Sequence, residues 1–292
     1  MIIFGLNNRV DEATLSSDGA FATGLPLANL QSPLLAKTAR TTSTAAFSIT
    51  IDCGALPVRN IGAVCLAGHN LSRDAVVAIS INNGGTVKAA SGSLSPWPFL
   101  ASDDPYYDAH NFSAAIVDTA RIATMAPSLL WFAAANQSAS KVVITIDDST
   151  NAAGYIEIGR VFAGELSQPV RGEEWADASW GLVDFSQVQV SKRRVKFAYK
   201  YPVIRTVGIN FKHLSQGEAI GGLKAAQRAA GLTGEVLVAK GIPAYTTIGA
   251  VSAPDSNWFA HAFLGNFTAL DPLTNPYLDA YAMSINIEEV AA

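Results

Sequence analysis

The chain has 292 residues, of which 49% are hydrophobic and only 15% are charged, and its net charge is −4. This length is enough to bury the core of one large domain or of two ordinary ones. Because an average soluble domain has about 25% charged residues, the low charge predicts that part of the surface lies in permanent contacts between subunits. The acidic balance, without a block of basic residues at either end, argues against a nucleic-acid-binding module.

Targeting and redox features are sparse. No run of 18 apolar residues is present, so membrane insertion is not expected. The first residues lack the cationic start and long apolar stretch of a secretory signal, so none is predicted. Cys53 and Cys65 are too few for a disulfide scaffold. They are interpreted as buried thiols, or as a cross-strand disulfide if their strands are neighbours.

The first half of the chain has the pattern of an all-β domain. Residues 1–44 show few regular signals and are interpreted as loops that pack on a sheet. Phe47–Asp52 then alternates between apolar and polar side chains, as a half-buried strand does. Further strands are predicted at Asn60–Leu66 and Ala75–Ile81, each followed by a turn. Strands and turns at this spacing predict a β-sandwich or jelly roll.

An irregular segment, residues 86–125, holds several aromatic side chains among Ser, Pro and Asp. Sugars stack on exposed aromatic rings while nearby polar groups bind their hydroxyls. These rings are therefore candidates for contact with a glycan or a protein partner. The alternative is that they pack at the edge of the core or in a subunit contact. The candidates are Trp97, Phe99, Tyr106 and Tyr107.

The stretch Lys141–Gly164 is predicted to be a hairpin that closes the first domain. Apolar and polar residues alternate in its two halves, and Ser149–Gly154 supplies a polar turn between them. The following segment is polar and contains Pro169 and Gly172, as domain boundaries often do. The predicted organisation is a first domain at residues 1–164, a linker at 165–180 and a second domain at 181–292.

The strand pattern restarts in the second half. Around Lys192-Arg193-Arg194 a basic cluster is interpreted as a solvated turn or a subunit contact. The next strand carries aromatic and apolar side chains on one face and mostly basic ones on the other. Strands are predicted at Gln187–Val190, at residues 195–201, and at Ile204–Phe211, Glu235–Lys240, Asn257–Leu264 and Tyr281–Val290.

One helix is predicted at residues 216–230. Ser215 and Glu218 fit a capping box, and Gly231 suits the position that follows the last turn. Gly221 and Gly222 cost about 1 kcal/mol each relative to Ala, so the helix should depend on docking to a sheet. The second half is therefore predicted to be a β-sandwich or small barrel with a flanking helix, and the whole chain to be all-β with one short helix.

The sequence shows no convincing catalytic site. None of the four histidines lies in a recognisable nucleophile motif, and no G-x-S-x-G sequence occurs. No His or Cys pair has the spacing of a zinc site, and no phosphate-binding glycine loop is present. Asp147, Asp148 and Asn151 could offer oxygen ligands to calcium, with solvated turn carboxylates as the alternative. The chain is predicted to be a non-enzyme without metal or cofactor.

The first half contains motifs of a known family. ITIDCG, NIGAVCLAGHNLS, KVVITIDD and GYIEIGRVFAG, in this order, resemble phage virion proteins with a discoidin-like, galactose-binding-type β-sandwich. The earlier PLANLQSPLLAKTART resembles the approach to that fold, so the likeness covers most of residues 20–164. In such proteins the sandwich is an accessory module of a tail or tail-tip component. No sugar-site motif is transferred residue by residue.

The order of elements in the second half resembles the tail-tube fold of phage tube and distal tail proteins. In that family the subunits form a hexameric ring, and DNA passes through its lumen. The resemblance implies a homo-oligomer that contacts other phage tail proteins, meets DNA only in the lumen, assembles in the host cytoplasm and is located in the virion. Many distal tail proteins place the tube-like domain first, whereas this chain has the reverse order. The implied lumen or ring-contact residues are Lys196, Lys200, Glu288 and Glu289.

Two functional hypotheses follow. The first is a structural virion protein of a phage tail tip, such as a distal tail or baseplate protein, whose ring joins the tail tube to the tip complex. The alternative is a carbohydrate-binding receptor-recognition module that uses the aromatic segment around Trp97. A ring subunit should form a hexamer and lack affinity for glycans, whereas a receptor module should bind them.

Overall fold

The structure is a computed structural model that describes residues 2–54, 59–97, 128–169, 178–192, 194–201, 203–240, 262–278 and 280–290. It divides into two units. The first comprises Met1–Gln168 and Glu235–Leu264, and the second comprises Pro169–Gly234 and Gly265–Ala292. The sequence pattern suggested one change of domain, between residues 164 and 181. The return of the chain to the first unit at Glu235 is a finding of the structure.

One sheet of the first unit has five antiparallel strands with one face in the core. Burial alternates along its strands, as in Phe47–Asp52, where every second residue is buried. This is the pattern that the sequence predicts for a half-buried strand. In order across the sheet, the strands are β2 (Thr14–Ser17), β4 (Phe47–Asp52), β9 (Lys141–Asp147), β6 (Val76–Asn83) and β7 (Thr86–Leu94).

The other sheet of the first unit is buried more evenly. All five residues of its strand Ile2–Leu6 are buried, and so are seven consecutive residues from Ile158 to Gly164. Consecutive burial means that both faces of the central strands are covered. In order, the strands are β15 (Glu235–Lys240), β1 (Ile2–Leu6), β10 (Glu157–Ser167), β5 (Arg59–His69) and β8 (Ser128–Ala139), and β3 (Ala39–Arg40) pairs with the start of β10.

The core of the first unit lies between these two sheets, which makes the unit a β-sandwich. Ile49 and Ile144 from the five-stranded sheet belong to the same cluster of buried residues as Val64, Trp131 and Val161 from the other sheet. Each fully buried aliphatic side chain contributes about 1.5–3 kcal/mol relative to an exposed one. The first unit thus has a core of its own, and the predicted sandwich is confirmed.

The predicted hairpin at Lys141–Gly164 is wrong in one respect. Both strands exist, as β9 and β10, but they lie in different sheets: β9 pairs with β4 and β6, and β10 pairs with β1, β3 and β5. The connection Asp148–Ile156 crosses from one sheet to the other. The burial patterns explain the difference, because alternating β9 has one solvent face whereas β10 is buried on both.

The N-terminal residues were also interpreted incorrectly as loops. β1 pairs with β10 on one side and with β15 on the other, so it is a central strand of its sheet. Two short 3₁₀ helices, Val10–Glu12 and Leu27–Gln31, follow it. A short, fully apolar strand has no alternation to reveal it, and only its position in the sheet distinguishes it from other apolar segments.

The second unit consists mainly of antiparallel strands. Apolar residues face each other across its central pair, with Val207 opposite Ile287, Ile209 opposite Ile285 and Phe211 opposite Met283. The sheet order is β11 (Ser179–Asp184), β14 (Val203–Leu214), β18 (Ala280–Glu289) and β16 (Ala262–Phe267), which joins through Gly265–Phe267; β17 (Thr274–Tyr277) also pairs with β18. β12 (Gln187–Val190) and β13 (Lys196–Tyr199) pair with each other.

The predicted helix is present in the second unit, although its first half is not α-helical. Gly217–Lys224 forms a π-helix that continues into the short α-helix Ala225–Ala230. The capping box is confirmed, because the backbone N–H of Ser215 donates to Glu218 Oε2 at 2.9 Å and Glu218 N donates to Ser215 Oγ at 3.4 Å. Gly231 follows with φ of 58°. The predicted fold class, all-β with one short helix, is thus confirmed.

The structure also describes the two cysteines and the helices that were considered in the sequence analysis. Cys53 and Cys65 are not joined by a disulfide. Cys65 is buried in β5, whereas Cys53 is partly exposed, and its burial, together with the charge of Asp52, raises the pKa of its thiol. In the part of the chain that the structure describes, no helix is both long and apolar enough to cross a lipid bilayer.

Candidate functional site

Two turns meet at one end of the sandwich in the first unit. Asp148, which directly follows β9, is only 1% exposed. Its carboxylate accepts hydrogen bonds from the backbone N–H of Ser72 at 2.9 Å and from the side-chain amide of Asn151 at 2.8 Å, and the Ser72 hydroxyl also donates to it. The Asn151 amide donates to the Asn70 carbonyl at 3.0 Å as well. Asp148 therefore joins the β9–β10 turn to the β5–β6 turn.

These contacts show whether Asp147, Asp148 and Asn151 could bind calcium, as the sequence suggested. Asp148 uses its oxygens for three donors within the protein, so it is neither a solvated carboxylate nor open to an ion. Asp147 points to solvent on the exposed face of β9. Among the residues that the structure describes, no group of three or more His, Cys, Asp or Glu side chains could hold a metal ion.

Beside the β9–β10 turn, Arg40 holds the ring of Tyr155. The guanidinium carbon of Arg40 lies 4.2 Å from the centre of the ring. Its Nε and Nη2 atoms donate to Glu157 Oε2 at 3.1 and 2.8 Å, and the Thr38 hydroxyl donates to Glu157 Oε1. A cation–π contact at an exposed site contributes about 0.5–1 kcal/mol. The half-buried Tyr155 ring is thus fixed at the surface by a paired cation.

Asn70 holds the backbone next to this ring. Its side-chain oxygen accepts from the N–H of Glu157 at 2.7 Å, and its amide donates to the carbonyl of Tyr155 at 3.1 Å. Between them, Ile156 exchanges backbone and side-chain hydrogen bonds with Thr41. We call Arg40, Asn70, Asn151, Tyr155 and Glu157 the Tyr155 cluster. All its members are partly exposed.

Trp97, the predicted platform residue, lies beneath the same end of the sandwich. It is 4% exposed, and its indole N–H donates to the carbonyl of Leu71 at 2.7 Å. Its ring stacks edge-on against His69, with 5.5 Å between ring centres. Trp97 therefore supports the β5–β6 turn from inside, in agreement with the core-edge alternative. Phe99, Tyr106 and Tyr107 lie outside the described residues, so the aromatic platform as a whole stays a prediction.

The buried histidine beside Trp97, His69, has an unusually low pKa. His69 is 5% exposed, and burial lowers its pKa to about 3. Neither of its ring nitrogens has a hydrogen-bond partner among the described residues. The imidazole is thus neutral at physiological pH and serves as an aromatic filler under the turn.

Acidification is therefore expected to destabilise the first unit through His69. The unfolded chain takes up a proton near pH 6.5 and the folded chain only near pH 3, so stability is lost as pH falls through this window. At pH 5 the loss from this residue should be about 2 kcal/mol. His69→Phe should remove that part of the pH dependence in urea unfolding between pH 7.5 and 5, whereas His213→Phe, at an exposed position, should not. Equal pH dependence of stability in the wild type and in both variants would contradict this prediction.

The candidate residues of the second unit have different environments. Lys196 in β13 and Lys200 after it are exposed, and Glu288 in β18 is partly exposed. Glu289 is internal, because its carboxylate accepts from the backbone N–H of Arg205 at 3.0 Å and from the guanidinium Nε at 2.9 Å. The side chain of Glu289 is only 9% exposed, so it serves an ion pair within the unit.

The Tyr155 cluster was not identified as a site from the sequence. Asn70 lies in the GHNLS motif, and Tyr155 and Glu157 lie in GYIEIGR, so the motifs that carried the resemblance contain these residues without giving them a role. Arg40 is more than a hundred positions away from Tyr155 along the chain, and no spacing rule connects them. Only the pairing of β3 with the start of β10 brings them together.

Comparisons with known proteins give similar structures but no family. No protein-family model matches the chain, and no curated protein matches it. Among solved structures, the family 32 carbohydrate-binding module of NanJ from C. perfringens, in complex with galactose, is 11% identical, covers 56% of this chain and 99% of its own, and gives a TM-score of 0.37. The lectin domain of lectinolysin, complexed with Lewis B antigen, is 12% identical, covers 55% of this chain and 96% of its own, and gives a TM-score of 0.36. A fucose-binding module of Streptococcus pneumoniae is 9% identical, covers 54% of this chain and 97% of its own, and gives a TM-score of 0.33.

These neighbours correct the function that the sequence resemblance implied. The resemblance led us to expect a structural protein of a phage tail tip. The structures named above are carbohydrate-binding modules and a lectin domain, and nothing among them supports a phage virion, a baseplate or a tail ring. The prediction of a tail-tip ring protein is therefore wrong.

Proposed function

We propose that the first unit binds carbohydrate at the Tyr155 cluster. One observation carries the proposal: a partly exposed aromatic ring is held in place by Arg40 and is surrounded by planar polar side chains. Sugars offer an apolar ring face and several hydroxyls, so their binding sites combine an aromatic surface with a few well-placed polar groups. The cluster has both elements within two short turns and one strand end.

The hydrogen-bonding capacity of Arg40 supports this proposal. An arginine side chain has five N–H donors. Two of them are used by Glu157, which leaves three without a partner among the described residues. The side chain of Arg40 is 36% exposed, so part of it reaches solvent. The remaining N–H groups can donate to sugar hydroxyls next to the Tyr155 ring, while Glu157 keeps the guanidinium from rotating.

The rigidity of the turns also favours a binding role. Asn70, Asn151 and Asp148 fix the backbone on both sides of Tyr155 through bonds of 2.7–3.1 Å. A preformed site loses little conformational entropy when it binds its ligand. This matters for sugars, whose few contacts gain little free energy each.

The proposal is tested by glycan binding to the full chain. Galactose and fucose, the sugars named in similar structures, serve as the first probes, followed by a glycan array. Tyr155→Ala should weaken the affinity for the bound glycan at least about tenfold, because it removes the stacking surface. Tyr281→Ala, which removes a half-buried tyrosine from the second unit, should leave the affinity unchanged.

Two outcomes would contradict the proposal. One is the absence of binding to any glycan by the intact chain. The other is equal affinity in the wild type and in Tyr155→Ala, with both proteins shown to be folded by their thermal unfolding. The proposal assigns binding and no catalysis to the site, so a glycan recovered from the complex should be chemically unchanged.

A further inference from the structure

The second unit carries a pair of strands whose apolar side chains face solvent on both sides. We call residues 185–201, which contain β12 and β13, the arm. Seven of the sixteen large hydrophobic residues that are exposed in the described part of the chain lie in this short segment. Each is between 52% and 61% exposed. They are Phe185, Val188, Val190, Val195, Phe197, Tyr199 and Tyr201.

The pairing of the two strands separates these residues into two faces. Gln189 lies opposite Phe197, and Gln187 lies opposite Tyr199, so one face presents a row of aromatic rings. The other face presents Val188 next to Ala198 and Val190 next to Lys196. Every residue of β12 and β13 is exposed. Neither face is therefore covered by any part of the chain that the structure describes.

Such an arm needs a cover to be stable. A two-stranded hairpin without a packed face is only marginally stable in water. Four of the seven residues are aromatic, and a half-exposed aromatic side chain leaves roughly 100 Å² of surface open. The three valines are smaller, so the seven residues together offer on the order of 500–600 Å². That is a large part of the roughly 800 Å² that each partner contributes to a standard protein–protein interface.

The charge of the arm indicates what covers it. Residues 185–201 contain five basic residues and no acidic one, a charge of +5. Since the whole chain has 20 basic and 24 acidic residues, the rest of the chain has 15 and 24, a charge of −9. Two arms would repel each other, but an arm and the remainder of another copy attract. An arm with an aromatic face and a basic opposite face matches an acidic chain.

We propose that the arm docks on the acidic part of a second copy of this chain. The contact is reciprocal, so each copy places its arm on the other and the pair closes as a two-fold dimer. Burial of the aromatic face supplies the affinity. The basic side chains, among them Lys196 and Lys200, select the partner surface and are expected to make the association sensitive to salt.

Sedimentation of the full chain tests the proposal. The wild type should form a species of twice the 30.6 kDa monomer mass, and its dissociation constant should rise with salt concentration. Lys196→Glu/Lys200→Glu should raise that constant at least about tenfold. Phe197→Ser/Tyr199→Ser should do the same, because it removes half of the aromatic row.

Matched variants separate the arm from general effects. Lys88→Glu/Lys224→Glu makes the same change in net charge at exposed positions outside the arm, and Leu278→Ser removes a 93% exposed apolar side chain elsewhere in the second unit. Both should dimerise like the wild type. The proposal is overturned if the wild type is a monomer at every concentration, if the arm variants dimerise normally, or if the arm instead binds a single-stranded oligonucleotide added as a probe while the chain stays monomeric.

Discussion

Replacing Glu235 with Leu is expected to lower the free energy of unfolding of the first unit by about 3–5 kcal/mol, the usual cost of leaving a buried charge without its partner. The charge in question is Arg160, whose side chain is 1% exposed. Its Nε lies 2.9 and 2.8 Å from the two oxygens of Glu235, and its Nη2 lies 2.7 Å from Oε2. Loss of Glu235 removes the buried carboxylate partner of Arg160, since Asp11, its other partner at 2.7 Å, is 45% exposed.

The surroundings of this pair explain the size of the effect. Arg160 also donates to the carbonyl of Leu30 at 3.1 Å and to Asp11 at 2.8 Å, and Glu235 accepts from Asn8 at 3.3 Å. Burial raises the pKa of Glu235, and its bonds to Arg160 offset part of that rise. Burial also disfavours charged Arg160, but the hydrogen bonds that it donates to Asp11 and Glu235 outweigh this effect and raise its pKa.

Urea unfolding of the full chain measures the change. In Arg160→Met/Glu235→Leu both charges are absent, and a large part of the loss should be recovered because no unpaired charge remains. Glu12→Leu is the matched control, since its carboxylate is 57% exposed although it contacts Arg59 at 2.9 Å. That exposed pair should contribute less than about 1 kcal/mol. A loss in Glu235→Leu no larger than in the control would show that the buried pair is not important for stability.

Gly164→Ala is expected to destabilise the first unit by about 1–3 kcal/mol, the usual cost of overpacking a core. Gly164 lies in β10, next to β5 on one side and to the end of β1 on the other. A methyl group at this position would overlap the carbonyl oxygen of Leu6 and come within 2.8 Å of the ring of Phe162. The carbonyl belongs to the backbone of a paired sheet and cannot move aside easily.

Gly24→Ala is the control for this substitution. A methyl group at Gly24 would meet no atom within 4 Å, and its backbone is not left-handed. Its stability should be unchanged or rise slightly, by up to about 1 kcal/mol, because alanine restricts the unfolded chain. Thermal unfolding of both variants gives the comparison. Similar midpoints for Gly164→Ala and the wild type would mean that the sheet adapts to the extra atom.

Local features of the fold could be predicted from the sequence. β4 and β12 have the bounds that alternation predicted, and β15 was located correctly as Glu235–Lys240. The Ser215 and Glu218 capping box was found because both partners lie within one turn of the helix. Each of these depends on residues a few positions apart, whose relative geometry the backbone fixes without help from the rest of the chain.

The partners of each element could not be predicted in the same way. Alternation identified both β9 and the start of β10, but this pattern does not state which strand lies beside which. The two strands were therefore expected to pair, whereas they belong to opposite sheets. Similarly, Trp97 lies in a segment whose polar composition is typical of a surface loop, and only the hydrogen bond from its indole to the carbonyl of Leu71 shows that it lies inside.

The difference between local patterns and contacts of distant residues also applies to the candidate site. The sequence by itself determined many of the strands, the helix cap, the basic charge of the arm and the sandwich class, because these follow from local periodicity, side-chain chemistry and charge. The tertiary structure alone decided that Arg40 holds the Tyr155 ring, that Glu235 returns to the first unit, and that no described segment of the chain covers the arm. Those facts are contacts between residues far apart in the chain, and they form only when the burial of many apolar side chains selects one arrangement of the strands.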